Sequence, residues 1–101
     1  MEVHEPSSPS IEQRENVLAL AGDFDIFSSG EVEEKINARM SSGEPLRLDL
    51  SQCTYVDSTI LTVLVRAANA YGDRLEILAP TSGNVARVLA LTKLDRYLPL
   101  I

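Results

Sequence analysis

Residues 46–79, LRLDLSQCTYVDSTILTVLVRAANAYGDRLEILA, read as a strand, a helix and a second strand. Leu46, Leu48 and Leu50 alternate with Arg47 and Asp49, the two-residue period of a strand with one buried face. Cys53 to Val56 read as a loop, with Cys53 and Tyr55 packed beneath it. From Ser58 to Tyr71, the side chains Leu61, Leu64, Val65 and Ala68 recur at helical spacing and predict a core-facing stripe. Thr59, Thr62, Arg66 and Asn69 supply a polar side. Ile60, Val63 and Ala67 form a second apolar stripe, open between a further core contact and a partner contact. Leu75 to Ala79 alternates again. A helix joining two strands implies parallel pairing through a right-handed crossover, the hand that lets a twisted strand and its helix pack together.

The same grammar extends in both directions. Val17 to Ala21 is apolar throughout, as a central strand would be, and Ser10 to Gln13 adds an edge strand. Val32, Ile36 and Met40 give the stripe of a helix over Glu31 to Met40, with Ser28 and Glu31 spaced as a capping box. Gly43 suits a left-handed stop, and Pro45 ends any continuation. A third helix, Gly83 to Leu91, carries Val85, Val88 and Leu89, and a short helix over Leu94 to Leu98 closes the chain. The expected architecture is α/β: a small, mostly parallel or mixed β-sheet of four to five strands with about four helices packed on it. The first ten residues, rich in Pro, Ser and Glu, are expected to be a loose tail, and the domain to run over 11–101.

Composition narrows the function classes. At 101 residues the chain is one domain, and 45% apolar with 24% charged residues is ordinary for a folded protein. Residues 1–34 hold nine acids and one base, residues 35–101 six acids and eight bases, for a formal net charge of −6. That balance disfavours nucleic acid, which demands clustered Lys and Arg. The excess acid suits steering of a basic partner or, equally, a solvated face. The single cysteine, Cys53, forms no internal disulfide. No stretch approaches the ~20 apolar residues of a membrane span, and the acidic start lacks signal-peptide order, so a cytoplasmic protein without membrane insertion is expected. Catalytic chemistry finds no constellation: the sole histidine, His4, falls in the expected tail, and no phosphate-binding glycine loop or zinc ligand set occurs. No enzyme activity, cofactor or metal is therefore expected. Asp23 and Asp25, two apart, read as solvated loop carboxylates rather than an acid/base pair.

Asp57 is a natural N-cap, and Ser58 then opens the helix at its positive end. A phosphate on Ser58 would bring about −1.5 to −2 charges to amides that receive them well, with Asp57 opposing. It would leave the fold intact and alter the surface.

The runs Asp49-Leu50-Ser51 and Val56-Asp57-Ser58-Thr59-Ile60-Leu61 resemble the STAS domain, found in bacterial anti-sigma factor antagonists and the cytoplasmic parts of anion transporters. Gly22-Asp23-Phe24-Asp25 matches that family's Gly-x-x-Asp after the second strand, and Val85 to Tyr97 is similar to its C-terminal signature. The resemblance implies a non-catalytic binding module. Its partner would be an anti-sigma factor that is also a serine kinase, bound in the unphosphorylated state so that a sigma factor is released. Phosphorylation of Ser58 would abolish binding, and a serine phosphatase would restore it. Asp23, Asp25, Asp57, Ser58, Thr59, Thr62 and Arg66 would form the docking surface, with Ile60 and Val63 included if the second stripe meets the partner. The family usually has Asp-Ser-Ser-Gly-Leu, so Ile60 replaces a glycine, and Lys93 stands where another is common. Ile60 would either block a standard partner or fill a pocket on a different one. Two other functions compete: a constitutive STAS accessory subunit of a transport ATPase or stress-signalling assembly, and a small-ligand or nucleotide binder using the amides at the second helix's start.

Overall fold

The computed structural model describes residues 6–101, so His4 lies outside the described residues. A hairpin opens the sheet: β1 (Ser10–Arg14) runs antiparallel to β2 (Val17–Phe24). Helix α1 (Ile26–Met40) crosses to β3 (Leu46–Val56), and α2 (Ser58–Tyr71) crosses through a 3-10 turn, Gly72–Arg74, to β4 (Leu75–Leu78). Both crossovers join parallel strands, and the sheet order is β1-β2-β3-β4. Helices α3 (Gly83–Leu91) and α4 (Leu94–Tyr97) follow. Pro99 to Ile101 return along the free side of β4: the Ile77 amide donates to the Pro99 carbonyl at 2.9 Å, and the Ile101 amide donates to Ile77 at 2.8 Å.

One core fills the space between sheet and helices. Leu18, Leu20 and Phe24 of β2, Leu46, Leu48 and Leu50 of β3, and Leu75 and Ile77 of β4 meet Val32 and Ile36 of α1, Ile60 and Leu64 of α2, and Val85 and Leu89 of α3. β2 has a neighbour on each side, as its apolar sequence predicts, yet its burial alternates. Leu18 and Leu20 are enclosed, whereas Val17, Ala19 and Ala21 face an open side shared with Glu12, Arg14 and Asp49. The small alanines suit that open side, since they expose little apolar surface.

Three expectations need correction. First, β3 does not end at Leu50 but continues to Val56, so Cys53 to Val56 are strand rather than loop. Its register against β2 slips twice, between Ala19 and Ala21 and between Gly22 and Asp23. Each slip inserts an extra residue, and the inward positions become Leu46, Leu48, Leu50, Cys53 and Val56. The two-residue period is broken at each bulge, which hides the second half of the strand. Cys53 is buried, and burial pushes its thiol up to about 11, against a lesser lowering by its contact with the Tyr55 carbonyl. Tyr55 does not join it beneath the backbone but is exposed.

Second, α1 begins five residues earlier than its apolar stripe indicates. Asp25 is the N-cap: its carboxylate accepts the Phe27 amide at 2.9 Å, while the Ser28 hydroxyl accepts the Asp25 amide at 2.9 Å. Ser28 thus serves as the return partner of a capping box rather than as its start. Third, residues 7–9 are not a free tail. The Asp23 amide donates to the Ser7 carbonyl at 3.1 Å, and the Ser7 amide donates to Asp23 Oδ2 at 3.0 Å. Gly22, at φ +91°, permits this approach: a Cβ there would lie 2.3 Å from the Ser8 carbonyl oxygen.

Gly22→Ala is expected to cost about 1–3 kcal/mol, measured by denaturant unfolding, with faster amide exchange at Asp23 as residues 7–9 lift away. Lys93, between α3 and α4, holds a left-handed φ of 62°, a conformation that favours glycine. Lys93→Gly is expected to raise stability by up to about 1 kcal/mol, measured by thermal melting.

Candidate functional site

The candidate site lies at the carboxyl ends of β2 and β3, where two helices begin side by side. Strand pairing sets Asp23 beside Tyr55 and Phe24 beside Val56, so the next residues, Asp25 and Asp57, cap α1 and α2 as neighbours. The Asp57 carboxylate accepts the Thr59 amide at 2.9 Å, the Ile60 amide at 3.4 Å and the Thr59 hydroxyl. These bonds satisfy two of the free amides at the start of α2 and orient the first turn. The carboxylate also occupies the place an incoming anion would need, which removes the basis for a nucleotide or small-anion site there.

Ser58 is the first helical residue and is exposed. Its carbonyl accepts the Thr62 hydroxyl at 3.0 Å, and its own hydroxyl has no hydrogen-bond partner among the described residues. One turn further along, the Arg66 guanidinium holds both carboxylate oxygens of Glu33 at 3.0 and 3.2 Å, tying the outer surfaces of α2 and α1. Arg66 is exposed and Glu33 half-buried at the surface, so the pair is worth about 1 kcal/mol or less to stability. Asp23 is engaged with its own chain: its carboxylate accepts the Thr54 hydroxyl at 2.6 Å as well as the Ser7 amide. Asp23 and Asp25 are therefore hydrogen-bonded groups that build the rim, not freely solvated loop carboxylates.

Of the sequence-derived candidates, Asp57, Ser58, Thr59, Thr62 and Arg66 share the outer start of α2, with Asp23 and Asp25 beside it. Ile60 and Val63 do not belong to that surface. They are 0% and 4% exposed and pack in the core with Leu64, Ala67 and Tyr71. The inward face of α2 is centred on this second stripe, while Leu61, Val65 and Ala68 lie half-buried on its flanks. The Tyr71 hydroxyl donates to the Ile36 carbonyl at 2.9 Å and fixes the rotation of α2 against α1.

The structure adds apolar residues that the sequence reading left out. Phe27 is 93% exposed, Ile26 65% and Tyr55 43%. Ile26 and Phe27 directly follow the α1 cap and stand out of phase with Val32 and Ile36, which was the available signal. Tyr55 lines a shallow groove of about 300 Å³ with Val56, Asn84, Arg87 and Val88. Large side chains left wet around a polar helix start are the composition of a protein-binding surface. No cluster of three or more His, Cys, Asp or Glu able to hold a metal occurs among the described residues.

Comparison with known proteins agrees with this geometry. The family model described as "Mlab, STAS domain" matches residues 7–101. Among solved structures, an anti-sigma factor antagonist from Mycobacterium paratuberculosis superimposes with a TM-score of 0.77 at 23% identity, covering 92% of this chain and 83% of that one. The anti-sigma factor antagonist SpoIIAA in its unphosphorylated form gives a TM-score of 0.70 at 19% identity, covering 93% and 86%. No curated protein sequence matches.

Asp57→Ala is expected to lose about 0.5–2 kcal/mol of stability, read from the denaturation midpoint, with Asp57→Asn retaining most of it.

Proposed function

Because this chain belongs to the STAS domain family, we propose that it is an anti-sigma factor antagonist, a binding module switched by phosphate at Ser58. Its partner is an anti-sigma factor with serine kinase activity, bound in the unphosphorylated state so that the sigma factor is set free. Phosphorylation by that kinase ends the interaction, and a serine phosphatase restores it. The observation that carries this reading is an exposed hydroxyl, without a hydrogen-bond partner among the described residues, at the first residue of α2, near exposed Phe27, Ile26 and Tyr55. A kinase can reach such an oxygen without unfolding the domain. The phosphate is tolerated by the isolated protein because it stays in water near the positive end of a helix dipole. Under a partner the same dianion must shed its water, and Asp25 and Asp57 add like charge next to it.

The docking surface is Ser58, Thr59, Thr62 and Arg66 on α2, rimmed by Asp23, Asp25 and Asp57. Phe27 and Ile26 supply the apolar anchor. The complementary partner offers an apolar pocket edged with Lys or Arg. Ile60 gives no support to a constitutive subunit of a transport or stress assembly, because its side chain fills the core and presents nothing to a partner.

Incubation with the cognate kinase and ATP is expected to add one phosphate, at Ser58, and Ser58→Ala to accept none while still binding. Ser58→Asp is expected to weaken binding of the anti-sigma partner by about 2–5 kcal/mol, at least ~30-fold by calorimetry. Equal affinity of Ser58→Asp and the unchanged chain would reject the switch and favour a constitutive subunit.

A further inference from the structure

The two edges of the sheet are treated differently. Pro99 to Ile101 pair with Ile77 and Ala79 and close the side of β4. Along β1 no described segment does the same, and Ser10, Glu12, Gln13 and Arg14 are exposed. The hairpin dictates which backbone groups face outward. Arg14 and Val17 close a two-residue turn, so Arg14, Glu12 and Ser10 bond inward to β2. The amides and carbonyls of Ile11 and Gln13 are left pointing away from the sheet.

Proteins commonly guard such an edge with charges of one sign, which repel a second strand. Here the edge carries opposite signs two residues apart. Glu12 and Arg14 already form an exposed ion pair at 2.6 Å within the chain. Antiparallel pairing of β1 with a second β1, centred on Gln13, sets Glu12 opposite the copy's Arg14 and Arg14 opposite the copy's Glu12. Gln13 then meets itself and exchanges two main-chain hydrogen bonds with its copy.

Helix α1 repeats this self-complementarity above the same edge. Gln13 lines a groove with Glu31, Glu34, Lys35, Ala38 and Arg39. Along that flank the acids precede the bases. A two-fold axis through Gln13 runs the two α1 helices antiparallel, and the acidic end of each faces the basic end of the other. We infer that β1 and the flank of α1 form a homodimer interface, in which a second copy of this chain continues the sheet to eight strands. The dimer leaves both Ser58 faces uncovered, because they lie at the ends of the strands and point in opposite directions.

The test uses the full chain alone, so it stands apart from any result with an anti-sigma factor. Sedimentation velocity from about 1 to several hundred micromolar is expected to show a concentration-dependent shift from monomer to dimer. Arg14→Glu and Glu12→Arg, each placing like charges opposite one another, are each expected to raise the dissociation constant about tenfold or more. Glu12→Arg combined with Arg14→Glu restores the opposition and is expected to restore the dimer. Gln13→Pro removes the central outward amide and is expected to leave monomers with an unchanged circular dichroism spectrum. A chain that stays monomeric at every concentration, or a double exchange as monomeric as its single variants, overturns the interface.

Discussion

Parallel pairing of β2 with β3 is the constraint on which the rest of the structure depends. It sets the ends of two strands at one level, so the helices that leave them start together, each closed by its own aspartate. Without that register Asp25 and Asp57 would cap helices at different heights, and no shared surface would exist at this end of the molecule. The two bulges in β3 belong to the same constraint. They let ten residues of β3, Arg47 to Val56, keep company with the eight of β2 and still deliver Asp57 beside Asp25.

The start of α2 shows how an exposed hydroxyl coexists with a capped helix. The carboxylate of Asp57 turns back onto the first turn and accepts two of its amides, while the neighbouring Ser58 hydroxyl is exposed and has no partner among the described residues. A structural role and an exposed, non-capping position are thus divided between consecutive residues. Ile60, the departure from the usual family pattern, falls on the structural side of that division. A branched side chain there fills space against the sheet.

Legibility of the sequence followed from periodicity. The limits of α2 and α3 were readable because apolar residues recur at helical spacing over both, and Asp57 marks the start of the first. Which stripe of α2 points inward was not readable, since Leu61-Leu64-Val65-Ala68 and Ile60-Val63-Ala67 are equally apolar and only packing against α1 through Tyr71 decides. The far half of β3 was hidden by its bulges, and the first turn of α1 by two apolar residues that serve no core. Ser58, Thr59, Thr62 and Arg66 were readable as neighbours because they follow from helix geometry alone. Phe27 and Tyr55 joined them only through the pairing of β2 with β3, which no local pattern encodes.

The bare ring of Phe27 has a colloidal consequence. A phenyl group almost wholly in water attracts apolar surface on other molecules, and the formal charge of −6 opposes that approach between copies. As acid neutralises the carboxylates the repulsion fades while the greasy contact persists. Attraction between exposed rings and repulsion between charged surfaces therefore trade places as the pH falls.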